Sequence, residues 1–196
     1  MPNKNLIFFY LVFFLSISNA TCLEENKHLL NFSKEEFYSA DFSQTFENEQ
    51  KEPVFGKIIL KKPSFLKVSN LNSNSVESEI IINENSIYRI DYDLDQAVKY
   101  KKENIIHQIP AAFLLEDSNS FCLNFEKIDC IDNFCTIFPK DKTYISKIDL
   151  IFNDAFLTNI KYLDAFGVKS EVAIDNGRKN NRLKYIKYLF SIRSWS

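Results

Sequence analysis

Glycine is scarce in this chain, with only three residues among 196 (Gly56, Gly167 and Gly177). They stand too far apart to build a phosphate-cradling loop, which removes the dinucleotide fingerprint and the P-loop. Two histidines, His28 and His107, leave a Ser/His/Asp or Cys/His site with little to work with. Neither belongs to an HExxH pair, and there is no GxSxG elbow. Charge of one sign is also lacking. A formal net charge of −2 offers no broad basic field for nucleic acid. No cysteine pair has the spacing of a structural zinc site. Asp91, Asp93 and Asp95 alternate like a loose Ca²⁺ ligand run, but the glycine and distal glutamate of an EF-hand loop are missing. Neither a metal nor another cofactor is expected, and nothing points to an enzyme.

What is present is apolar and aromatic. Nineteen Phe and nine Tyr suit a hydrophobic cavity. An A/T-rich coding sequence, rich in Phe, Ile, Lys and Asn, would give the same count, so composition alone does not decide. Residues 6–17 form the one long apolar run. Lys4 precedes it, and Ser18 and Ala20 supply small residues at −3 and −1 of a cleavage point. This is the pattern of a secretory signal peptide cleaved after Ala20, and a 12-residue run is short for a membrane span. The remainder, residues 21–196, reads as a single domain. The four cysteines, Cys22, Cys122, Cys130 and Cys135, fit an oxidising compartment, with three possible pairings into two disulfides. If Asp132-Asn133 is a two-residue hairpin turn, Cys130 and Cys135 face each other across it, and a disulfide becomes possible there.

Residues 23–36 read as a short amphipathic helix. Residues 38–46 alternate, with Tyr38, Ala40, Phe42 and Phe46 on one face, interrupted by Gln44. Further strands are expected at 55–62, 65–70, 78–82, 87–92, 121–128, 134–138, 144–152, 156–163, 168–174 and 183–192. Residues 71–77 and 176–181 read as polar loops. Pro110 followed by Ala111, Ala112, Phe113, Leu114 and Leu115 predicts a short helix that is apolar around most of its circumference. The fold class is therefore mainly β with short α: about ten to eleven antiparallel strands curled into an incomplete barrel, covered by short helices. Such a concavity either takes a hydrophobic ligand or closes as an ordinary core. Lys61-Lys62-Pro63 reads on its own as a solvated strand end or as the kink of a movable cover.

Five landmarks follow one another over residues 29–174. They are Tyr38-Ser39-Ala40-Asp41-Phe42-Ser43-Gln44; Gly56 with Leu60-Lys61-Lys62-Pro63-Ser64-Phe65-Leu66-Lys67; Tyr88-Arg89-Ile90-Asp91-Tyr92-Asp93-Leu94-Asp95-Gln96; Pro110 to Leu115; and Asp164-Ala165-Phe166-Gly167. In this order they resemble the periplasmic outer-membrane lipoprotein carrier proteins (LolA). The resemblance implies a monomeric, non-catalytic periplasmic chaperone in an incomplete β-barrel under a helical lid. Its partners would be acylated lipoproteins, an inner-membrane lipoprotein-releasing ABC transporter and an outer-membrane receptor. A related half-barrel could instead act as a lipid-anchored receptor or a lipid-sensing regulator. By resemblance Lys62 would be the lid latch, at a position where the family has arginine. Acyl chains would meet Phe42, Ile59, Leu66, Val68, Tyr88, Ile90, Phe113 and Leu114.

Overall fold

A computed structural model describes residues 23, 26–47, 52–73, 75–118, 120–154 and 156–179. The predicted signal peptide and the expected strand at 183–192 lie outside them. One helix, α1 (Lys27–Lys34), precedes eleven strands: β1 (Phe37–Phe46), β2 (Val54–Lys61), β3 (Phe65–Asn72), β4 (Ser75–Ile82), β5 (Ser86–Asp91), β6 (Gln96–Lys101), β7 (Phe125–Ile131), β8 (Phe134–Pro139), β9 (Ile145–Asn153), β10 (Phe156–Asp164) and β11 (Lys169–Lys179). All pair antiparallel in one sheet of order β6-β5-β4-β3-β2-β1-β11-β10-β9-β8-β7. The sheet stays open, because β6 and β7 are its two edges. The chain between those edges forms α2 (Lys102–Ile105), 3₁₀ turns at Ile106–Gln108 and Pro110–Leu115, and α3 (Phe121–Asn124). This connection is the lid.

Period-2 burial sets the two faces. Along β1, Tyr38, Ala40 and Phe42 are buried while Ser39, Asp41 and Ser43 are half-exposed. The cross-strand pairs Phe42↔Gly56 and Phe42↔Ile174 carry the same face into β2 and β11. Gly56 is required by a close approach. A Cβ there would stand 2.4 Å from the Phe42 ring and 2.3 Å from the Ser69 carbonyl oxygen. The core continues through Ile58, Leu60, Leu66, Ile82, Ile148, Leu150, Ile160, Val172 and Ile174, all on the lid side of the sheet.

Helix α1 packs Leu29 and Phe32 onto one end of this core. Asn26 caps it, accepting from the Leu29 N–H at 2.8 Å. The Asn26 amide also donates to the Asp132 carbonyl at 3.0 Å, fixing α1 to the β7–β8 turn. His28 Nδ1 pairs with the Asp154 carbonyl at the β9–β10 turn. The edge of the Phe32 ring meets Tyr38, and burial pushes the Tyr38 hydroxyl up to about 12.

Several expected bounds shift. Residues 71–77 are not a loop: β3 reaches Asn72 and β4 begins at Ser75. Asn72, Ser73, Ser75 and Glu77 are exposed at the rim of the sheet, where both faces are wet. Of the polar stretch 176–181, residues 176–179 supply the end of β11, paired through Arg178 and Lys179 to β1, and the other two lie outside the described residues. The expected strand at 121–128 begins as the turn of helix α3. Residues 110–115 are wound as a 3₁₀ turn rather than an α-helix.

Candidate functional site

Burial on the lid side of the sheet falls off toward one end. Tyr38, Ala40 and Phe42 are buried, but Gln44 and Phe46 farther along β1 are half-exposed. Leu66 gives way to Val68 and Asn70 along β3, and Ile82 to Ile80 and Ser78 along β4. The end under α1 is therefore sealed, while the other end is open. Between sheet and lid at the open end lies a cavity of about 320 Å³. Phe42, Ile58, Val68, Ile80, Ile160 and Val172 form its floor, and Ile109, Pro110, Ala111 and Phe113 its roof. Polar groups are few and paired: Gln44 Nε2 donates to the Tyr162 hydroxyl at 2.7 Å. Burial raises the Tyr162 pKa, against hydrogen bonds to Ser170 and Gln44. A neutral phenol at ordinary pH suits an apolar occupant.

A larger depression of about 500 Å³ is bordered by Lys147, Asp149, Lys161, Lys169 and Glu171. These charges answer one another, with Lys147–Asp149 at 2.9 Å and Lys161–Glu171 at 3.2 Å. Size alone would favour it. Its paired charges leave little for a ligand to satisfy, whereas the smaller cavity is lined by apolar side chains.

Of the residues assigned to acyl-chain contact, Phe42, Val68 and Phe113 line the cavity. Leu66 and Leu114 point to the same layer but are completely buried in the sealed core. Ile59, Tyr88 and Ile90 stand on the other face of the sheet. Ile59 alternates with Ile58 and Leu60, which point inward. The pair Ile82↔Ile87 puts Ile87, Arg89 and Asp91 on the lid side, so Tyr88 and Ile90 are turned away. That outer face instead holds a buried carboxylate, beside Ile90 and reached by Tyr92 just past the end of β5. Glu79 accepts from Ser69 at 2.8 Å and from Tyr92 at 3.0 Å, and pairs with Lys67 at 2.6 Å.

Lys62 sits in the β2–β3 turn at the sealed end, next to Pro63 across a cis peptide bond, and is only 6% exposed. Its Nζ donates to the Phe32 carbonyl at 2.8 Å and lies 4.1 Å from the centre of the Phe32 ring. The hydrogen bond thus holds the last turn of α1. Burial depresses the Lys62 pKa to about 7, although Asp117, Glu35 and Glu116 oppose the shift. Glu116 and Asp117 follow the lid turn directly, so the ammonium stands where α1, the β2–β3 turn and the lid's exit converge. Cys130 and Cys135 are joined by a disulfide across the Asp132-Asn133 turn, with Cα atoms 4.1 Å apart.

The family model described as outer membrane lipoprotein carrier protein LolA matches residues 33–191. The chain belongs to the LolA family. An outer-membrane lipoprotein carrier protein from Idiomarina loihiensis is 24% identical over 157 residues, 79% of this chain and 76% of that one. Two solved structures are similar at low identity. A LolA superfamily protein from Nitrosomonas europaea has a TM-score of 0.45 and 10% identity, covering 81% of this chain and 94% of its own. A putative outer membrane lipoprotein-sorting protein domain from Vibrio parahaemolyticus has a TM-score of 0.48 and 9% identity, covering 84% and 94%.

The LolA landmarks fall in different places around the cavity. Phe42 and Gln44 of the first contribute floor and polar spot, and Pro110, Ala111 and Phe113 of the fourth contribute the roof. The second supplies Lys62 and the sealed end, and the third turns its aromatics away from the site. Ile58, Ile80, Ile160, Tyr162 and Val172 line the cavity without having been singled out beforehand. Gln44 alone left a trace in the sequence, as the polar interruption of an apolar strand face.

Proposed function

We propose that this protein is a periplasmic carrier that takes up the acyl chains of lipoproteins leaving the inner membrane and hands them to an outer-membrane receptor. The observation that carries this reading is the apolar cavity of about 320 Å³ between the open end of the sheet and the lid. Membership of the LolA family, and similarity to a relative named outer-membrane lipoprotein carrier protein, support it. Binding involves no covalent chemistry. Each methylene moved from water into the cavity contributes about 0.8 kcal/mol, so a single long chain supplies enough free energy to offset its ordering. Release requires the lid to lift, and the lid is a connection between two sheet edges rather than a strand of the sheet. An inner-membrane lipoprotein-releasing ABC transporter would load the protein, and the receptor would empty it. The chain acts as a monomer that covers one lipid anchor at a time.

The test is release. Purified protein without residues 1–20 is incubated with spheroplasts, and the soluble fraction is probed for lipoproteins. Lipoproteins should appear with the unaltered protein; none with a correctly folded sample would sink the proposal. Val68→Glu places a carboxylate in the cavity floor and should abolish release with the fold retained. Leu66→Glu is the contrasting control: it buries an unpaired charge in the sealed core and should fail to fold.

A further inference from the structure

Cavity lies on both sides of the lid turn. Ala111 faces the chamber over the sheet floor. Ala112, the next residue, lines a second chamber, also of about 320 Å³, enclosed with α3, β7, β8 and β9. Ile109, Pro110 and Phe113 border both. The 3₁₀ winding explains this arrangement. With three residues per turn, Pro110 and Phe113 eclipse each other along one line, while Ala111 and Ala112 project to either side of it.

The walls of the second chamber are apolar: Ile106, Phe125, Ile145 and Ile148, with Leu123 at its edge, 69% exposed. Polar groups border it as well. Asn124 Nδ2 donates to Glu116 at 2.8 Å, and Lys140 Nζ donates to the Leu123 carbonyl. Each chamber sits at the small end of ligand cavities, which span roughly 300–1,000 Å³. Neither volume alone suits a lipid anchor bearing several chains. Two chambers of equal size sharing one wall do.

Resting on the carrier reading above, we propose that the second chamber takes a second acyl chain of the same ligand. The lid turn then divides the anchor, with one chain between lid and sheet floor and another between lid and the β7–β9 half. Pro110 and Phe113 touch both chains, so loading either chamber orders the wall of the other.

Binding of dodecanoic acid, followed by native mass spectrometry and titration calorimetry, tests this. The unaltered protein should take up about two equivalents, one per chamber. Ala111→Trp and Ala112→Trp each fill a different chamber. Each should lower uptake to about one equivalent, and the double variant should bind none. Circular dichroism melts establish that the variants fold. Leu123→Glu, at an exposed position, leaves the core untouched and sets a carboxylate at the edge of the second chamber. It should weaken one equivalent by about tenfold and spare the other. Uptake of one equivalent, lost in Ala111→Trp but unchanged in Ala112→Trp and Leu123→Glu, would overturn the second chamber and leave the carrier reading standing. Uptake of two equivalents unaffected by Ala112→Trp and Leu123→Glu would also overturn it. No uptake by the folded unaltered protein would remove both.

Discussion

Lys62 concentrates the energetic conflict of the molecule in one side chain. Its ammonium gains a carbonyl partner, the face of Phe32 and three nearby carboxylates, yet burial outweighs them and lowers its pKa from 10.5 to about 7. The unfolded chain therefore holds this proton more tightly than the folded one. Between pH 7 and 10.5 the unfolded state binds more protons, so stability rises with pH, by about 1 kcal/mol per unit. It is lost again as pH falls toward 7. Tyr38 acts in the opposite sense, but only above its ordinary value of 10, so urea unfolding between pH 7 and 9 isolates the lysine. Lys62→Met should flatten that slope. Lys62→Arg should flatten it too, because a guanidinium keeps its proton throughout. A slope unchanged in both variants would mean that Lys62 does not titrate in this range. An arginine at this position would be a permanent charge at the junction of α1 and lid, whereas the lysine makes that junction depend on pH.

Elements were legible in the sequence wherever one face is buried and the other wet. Strand β1 has that alternation, and its observed bounds differ from those expected by a single residue. Strand β6 does not. Gln96, Ala97, Val98 and Lys99 are all exposed, so no period marks them and the strand was not expected. In β5 the alternation was correct, but its direction was not. Tyr88 and Ile90 look like the core face, yet they belong to the side that holds Glu79, while Arg89 stands exposed on the lid side. Which side of a sheet is inside depends on what the rest of the chain lays over it, and on the lid side of β5 only Ile87 is buried. The cavity floor was unreadable for a related reason. Ile58, Ile160 and Val172 come from three strands, and only the pairing order brings them together. Helix α1 shows how far a local residue type can specify a tertiary position. Asn26 caps the helix and also donates to Asp132. Asn26→Ala removes the cap, about 1 kcal/mol, and a partly buried hydrogen bond worth about 1 kcal/mol more. Its free energy of unfolding, read from urea titration, should fall by about 2 kcal/mol in all. A loss no larger than the cap alone would show that the bond to Asp132 does not hold α1 in place.

At the scale of the whole molecule, the open sheet allows the cavity but leaves β6 and β7 as edges with no second neighbour among the described residues. Strands β6 and β7 stand at opposite ends of the strand order, and the chain between them forms the lid. Each edge is then a template for another copy, which charged side chains discourage. Strand β7 carries Glu126, Lys127 and Asp129, all exposed and answered locally: Lys127–Asp129 at 2.5 Å and Glu126–Lys142 at 2.6 Å. Strand β6 carries Lys99 and Lys101. These charges add little to folding stability, since exposed pairs contribute at most about 1 kcal/mol. Their role is to make docking of a second strand costly. Exposed Ile131 at the end of β7 shows what an unguarded edge would offer. Lys127→Val combined with Asp129→Val removes the guard and raises β-propensity without touching the cavity. Size-exclusion chromatography with light scattering should find the unaltered chain monomeric. The double variant should associate increasingly with concentration, with an unfolding midpoint close to that of the parent. If the double variant remains monomeric at the same concentrations, the edge is protected by its twist or by its bulge near Phe125 rather than by charge. A half-barrel that keeps its concavity open cannot remove its edges by closing, so it must defend them residue by residue.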